Sequence, residues 1–202
     1  MKRFILLLTV LFVFLSSLPV CAVSDPGLSH SAASLVYCTE PDRVLYSSEA
    51  DKKVYPAALT KLMTVVLAAE SIESGKMTAD QLITASASAV SAAEGNNISI
   101  KIGEELKFRD LVGATILAGA NDAALVIAEA VSGSVPEFVR LMNQRAEQLG
   151  MKDTVYTNPT GLHDGEMVTT ANDLLILAKL AVTKQFLSDL FGSVRITIDA
   201  TN

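Results

Sequence analysis

Between Pro56 and Ala69 the chain reads PAALTKLMTVVLAA, and no other stretch restricts the fold as much. Leu59, Leu62, Met63 and Val66 recur at helical spacing, while Ala58, Val65 and Ala68 make the opposite side apolar as well. A helix that is apolar all round belongs in the interior, so other elements must surround it. Pro56 suits its first turn, where a missing N–H costs nothing. Lys61 is its only charge before Glu70. A lysine in such a helix either runs its stem along an apolar surface to reach water, or sits in a cleft with its proton affinity shifted for base chemistry. Ala58 lies three positions earlier, on the same helical face.

The flanking sequence supplies the surroundings. Ser34–Tyr37 and Val44–Ser47 are β-type runs around Thr39-Glu40-Pro41-Asp42-Arg43, which reads as a hairpin with a Pro-Asp turn. Residues 72–95 show no strong period, and Ile98 to Ile102 alternates like a strand. A second helix is expected from about Arg109 through LVGATILAG, interrupted by Asn121-Asp122 and resumed in AALVIAEA. Ser134 and Glu137 have capping-box spacing for a helix that ends at Gly150. Thr170 caps a helix from Ala171 to about Val182, a short helix follows near Phe186–Phe191, and Val194–Ile198 alternates like a strand. Half of the residues are hydrophobic and 19% are charged, which predicts a globular core.

The first residues are a targeting signal. Lys2 and Arg3 precede the apolar run Phe4–Leu15, which Ser16, Ser17 and Pro19 end, and Val20-Cys21-Ala22 suits cleavage after Ala22. An uncleaved anchor and a lipoprotein acylated at Cys21 are the alternatives, the second weakened by Val20. Residues 1–22 thus read as a signal peptide and 23–202 as the exported part, placed in a bacterial cell envelope or outside the cell. Membrane contact is expected only through the signal segment. Its removal takes the net charge from −6 to −8, a poor balance for binding nucleic acid. It also leaves Cys38 as the only cysteine, so no intramolecular disulfide can form. His30 and His163, the only histidines, are far apart and have no ligand spacing around them, so no metal site is expected.

Three polar positions in apolar surroundings ask for a reason. Lys61 is the first. Asn121 and Asp122 are the next, either as caps of the following helix or as an amide facing a cleft. His163 in its loop and Cys38 in its strand carry no such weight: a loop histidine is usually solvated, and a strand cysteine is usually a small buried residue.

Pro56-Ala57-Ala58-Leu59-Thr60-Lys61-Leu62-Met63-Thr64 resembles the active-site helix of the serine D-alanyl-D-alanine carboxypeptidases. These are low-molecular-mass penicillin-binding proteins of the β-lactamase/transpeptidase-like superfamily, with a Ser-x-x-Lys motif. The resemblance continues through Val44-Leu45-Tyr46 and Tyr55-Pro56, and then through Gly119-Ala120-Asn121-Asp122, which is similar to the second motif, Ser-x-Asn. Leu149-Gly150-Met151-Lys152-Asp153-Thr154 and Asn158-Pro159-Thr160-Gly161-Leu162 are also in family style, so the likeness spans roughly residues 32–202. It implies an α/β (α+β) fold, a helical cluster packed on an antiparallel sheet. It implies no cofactor.

The resemblance also assigns roles. Ala58 stands at the nucleophile position, where Ser is expected, and Lys61 at that of the general base. Gly119 stands at the serine of the second motif, with Asn121 as its catalytic and substrate-binding amide. The third motif, Lys-Thr-Gly, would lie beyond Asn202, so residues 23–202 read as an incomplete carboxypeptidase-like domain without its C-terminal strands. The implied partner is a peptidoglycan stem peptide ending in D-Ala-D-Ala, with β-lactams bound non-covalently. Family chemistry forms an acyl-enzyme on the serine hydroxyl, which alanine lacks. The expectation is therefore an inactive family member in cell-wall metabolism. A fragment or engineered variant of an active carboxypeptidase is one alternative, and an exported helical scaffold or interaction protein with no catalytic role is another.

Overall fold

A computed structural model describes residues 31–198 and 201; the expected signal segment 1–22 lies outside them. Strands β1 (Ser34–Cys38) and β2 (Arg43–Ser48) form the expected hairpin, with Ser34 opposite Ser48 and Val36 opposite Tyr46. The chain then passes through Pro56 into a 3-10 turn, Ala57–Leu59, and helix α1, Thr60–Glu73. Met63, Val65, Val66 and Ala68 are all but inaccessible to solvent, so the apolar circumference of this helix has become the core.

Five elements enclose α1. They are α4 (Asn121–Ser132), α5 (Val135–Leu149), α6 (Ala171–Thr183), α7 (Gln185–Phe191) and a π-helical turn, Ala114–Ala118. Between α1 and that turn lie β3 (Leu82–Thr84), α2 (Ala87–Ser91), β4 (Glu105–Lys107) and α3 (Phe108–Gly113). β3 and β4 form a second antiparallel pair, with Ile83 opposite Leu106. The fold is therefore mixed α+β, with helices dominating and, among the described residues, two small antiparallel sheets.

The caps are where the side chains placed them. Ser134 Oγ accepts the Glu137 N–H at the start of α5, Gly150 ends that helix at φ +79°, and Thr170 Oγ1 accepts the Asp173 N–H at the start of α6. Two strand expectations fail. Around Ile98–Ile102 the backbone donors go to a carboxylate instead of a ladder: Asp122 Oδ1 accepts from Ile98 N at 3.2 Å and Oδ2 from Ile100 N at 3.0 Å. Val194–Ile198 is irregular chain, and its alternation reflects anchoring of single side chains, with Ile196 lying over Gly113 and Ile198 against the core. The expected helix through Leu111–Gly119 is α3 continued into the π turn, and Gly119 ends it at φ +65°, a left-handed conformation that glycine adopts without strain.

Candidate functional site

Ala58, Lys61 and Gly119 are brought together around one cleft of about 210 Å³. Leu62, Val65, Ile116 and Phe191 give the cleft an apolar wall. Ala58 is exposed at the mouth, in the 3-10 turn, and its side chain is a methyl group. Lys61 does not reach for water. It is only 9% exposed, and its Nζ donates to the Thr160 carbonyl at 2.6 Å. Among the described residues no carboxylate comes within ion-pair distance of that ammonium. Burial therefore acts unopposed by a counter-charge and pulls its proton affinity below the ordinary lysine value.

The residue before Ala58 is strained. Ala57 has φ +46°, an uncommon region for a side chain with a Cβ. It is held there by Gly161, whose backbone packs so closely that a Cβ at that position would stand 1.8 Å from the Ala57 carbonyl oxygen. Gly161 belongs to the loop that also supplies the Thr160 carbonyl. One loop thus contacts both the helix entrance and the lysine.

Asn121 is placed differently. It lies at the start of α4, 5% exposed, and is not among the residues lining the cleft. Its Nδ2 donates to the Glu94 carbonyl at 2.6 Å, and its Oδ1 is buried without a hydrogen-bond partner among the described residues. Asp122 holds the 97–100 loop on α4, accepting from Ile98, Ile100 and its neighbour Ala123 while its own N–H donates to Asn97 Oδ1. Of the polar pair in the sequence, Asp122 has the structural part. Gly119 is tied to the same loop, since Asn96 Nδ2 donates to the Ala118 carbonyl and would lie 3.3 Å from a Cβ at position 119.

His163 is exposed and meets the ring of Tyr55 edge-on, with centroids 4.7 Å apart. Cys38 is half-buried and its thiol donates to the Glu40 carbonyl at 3.1 Å. Neither is among the residues that line the cleft. Sequence reasoning did not single out Thr160, whose carbonyl accepts from the lysine, or Asn158, whose side chain bonds to Thr160. Their signal was the Asn-Pro-Thr-Gly run, a sequence that favours a tight turn.

A sequence model of the family described as D-alanyl-D-alanine carboxypeptidase matches residues 20–194. D-alanyl-D-alanine carboxypeptidase DacF of Bacillus subtilis is 34% identical over 185 residues, which make up 89% of this chain and 47% of DacF. D-alanyl-D-alanine carboxypeptidase DacA of Haemophilus influenzae is 32% identical over 136 residues, 66% of this chain and 35% of DacA. The chain thus spans half or less of the length of these curated relatives. The crystal structure of D-alanyl-D-alanine carboxypeptidase DacD from Francisella tularensis matches with a TM-score of 0.73 at 32% identity, over 78% of this chain and 38% of that one. Penicillin-binding protein 6B from Escherichia coli matches with a TM-score of 0.74 at 26% identity, over 80% of this chain and 53% of that one.

Proposed function

The chain belongs to the D-alanyl-D-alanine carboxypeptidase family, and from that premise we propose that it binds peptidoglycan stem peptides ending in D-Ala-D-Ala without cleaving them. The observation that carries this reading is the methyl group of Ala58 beside a buried, hydrogen-bonded Lys61. Nucleophilic catalysis needs an oxygen to form the acyl bond and a base to take its proton. Here a base is kept and the oxygen is missing. Gly119 offers no second hydroxyl at the cleft. Backbone dipoles can still polarise a carbonyl, but without a nucleophile they stabilise no covalent intermediate.

In this reading the protein acts in the bacterial cell envelope. Residues 1–22 direct its export, and residues 23–202 form a carboxypeptidase-like domain. Penicillins, which carry a strained β-lactam amide in place of the peptide bond, bind without acylating it. The retained amine and the apolar wall supply the binding surface.

Fluorescent penicillin followed by a denaturing gel tests the covalent part: no labelled band is expected. Calorimetric titration with a synthetic stem peptide ending in D-Ala-D-Ala tests the binding part, and saturable binding that is lost with an L-Ala-L-Ala terminus is expected. A penicillin-labelled band that unlabelled drug competes away would overturn the inactive reading. No binding of any stem peptide would favour the exported scaffold instead. Ala58→Ser, alone and with Gly119→Ser, asks whether a hydroxyl is all the site lacks. The single variant is the cleaner of the two, because a serine at position 119 would have to adopt the φ of +65° that glycine tolerates.

A further inference from the structure

Lys61 and Thr64 are three residues apart on α1, one turn along the same face. Both donate to successive carbonyls of one loop: Thr64 Oγ1 to Pro159 O at 2.7 Å, and Lys61 Nζ to Thr160 O at 2.6 Å. A loop presents two consecutive carbonyls to one helix face only if something bends it, and here that is the side chain of Asn158. Its Oδ1 accepts from Thr160 N at 3.1 Å, Thr160 Oγ1 at 2.9 Å and Gly161 N at 2.7 Å, while its Nδ2 donates to Leu162 O at 3.0 Å. Local side-chain to backbone bonds of this kind are what let asparagine set a turn. The same bend brings Gly161 against Ala57 and so fixes the strained residue ahead of Ala58.

We infer that Asn158 is the positioning residue of Lys61: by folding the 158–162 loop it keeps the Thr160 carbonyl on the ammonium and holds the amine at the cleft. The inference rests on reading Lys61 as a working residue of the site. Without Asn158 Oδ1, three donors lose their acceptor at once, and the loop has no reason to hold both carbonyls on α1. Lys61 is then released while the apolar face of α1 stays packed.

The test is a brief acetylation of the full chain at pH 10.5, the ordinary lysine value, with each lysine read by peptide mass spectrometry. Exposed amines are already about half unprotonated there, so access rather than the lowered proton affinity of Lys61 sets the ratios. Lys61 should react about ten-fold more slowly than the exposed Lys52 and Lys76, in line with its burial. In Asn158→Ala its rate relative to those two should rise by about five-fold or more. Asn158→Asp keeps the acceptor oxygens and should stay within about two-fold of the native chain. Lys184, partly buried at the far side of α1, reports general loosening and should not change. An unchanged Lys61 in Asn158→Ala, an Asp variant as reactive as the Ala variant, or an equal rise at Lys184 would each overturn the inference. If Asn158→Ala does not fold, Thr160→Val replaces it: it removes one of the three donors but keeps the carbonyl, and a rise of about two- to five-fold is expected. None of these ratios depends on ligand, so a chain that binds no stem peptide leaves them standing while removing the reading of the cleft.

Discussion

Burying an ammonium against a single neutral carbonyl leaves its lost hydration only partly offset, and this makes Lys61 a residue whose contribution depends on pH. Its folded proton affinity is depressed below the ordinary value of 10.5. Below the folded value the amine is charged in both states, and the desolvation penalty is fully present. Between the folded value and 10.5 the unfolded chain binds more protons, so stability gained through this residue rises with pH. The expected outcome is that the native chain gains stability relative to Lys61→Met between pH 7 and pH 10, read as the difference between paired urea denaturation curves. A difference that stays flat or runs the other way would contradict a buried charged lysine. Gly161→Ala makes a sharper demand. Its Cβ would meet the Ala57 carbonyl at 1.8 Å, and its φ is +82°. A loss of at least about 2 kcal/mol is expected from denaturation midpoints, since left-handed strain alone is about 1–2 kcal/mol. At this scale the sequence was partly legible. Lys61 stood out because a charge in an apolar helix has to be accounted for. Its partner did not, because it is a backbone carbonyl, which no residue type announces.

Helices were read more easily than strands, for reasons visible in particular elements. α5 carried its own start in Ser134 and its own stop in Gly150, and α6 its start in Thr170, so local chemistry bounded them. β3 and α2 are three and five residues long, too short for any period to emerge from residues 72–95. Ile98–Ile102 alternated, yet its donors were taken by Asp122, a long-range partner that no window of sequence contains. The same kind of partner holds the helices together. Glu70 on α1 accepts from Arg145 Nη2 on α5 at 2.6 Å, and lies 3.8 Å from Lys184 at the start of α7, which also pairs with Glu73 at 2.6 Å. Arg145, Glu70 and Lys184 are mostly buried while Glu73 is half-exposed, so the part of the network around Glu70 is less screened than a surface pair. Glu70→Gln keeps the size and removes the charge. It should lower stability by about 1–2 kcal/mol, more than the usual exposed pair, in urea unfolding followed by circular dichroism. A change below a few tenths would mean that the three helices are held by packing alone.

For the whole molecule, the two sheets differ in how they are held. β3 and β4 are tied into the helical core by Ile83 and Leu106, both buried. The β1–β2 hairpin rests mainly on α6, and none of its residues is fully buried. Beside it runs an apolar groove lined by Leu35, Tyr37, Leu59, Leu174 and Leu175. Val65 and Val66 are buried by the enclosing helices, whereas Leu59, on the 3-10 turn beside the hairpin, is 57% exposed. The hairpin end is thus weakly covered, with Val44, Tyr55 and Leu59 all exposed there. An isolated two-stranded hairpin is marginal in water, and regions with few buried apolar contacts open at lower free energy than the core. The described part of the chain should then open in two steps, the hairpin first. In native-state hydrogen exchange, amides of residues 34–48 should exchange about ten-fold or more faster than those of α1 and α4, a difference of about 1.4 kcal/mol in opening free energy. Mild denaturant should leave the hairpin's exchange almost unchanged, because little surface is exposed when it opens, while exchange in α1 and α4 should accelerate steeply. Equal protection across hairpin and helices, with one common denaturant dependence, would show a single cooperative unit and would mean that the groove beside β1 does not weaken its hold on α6.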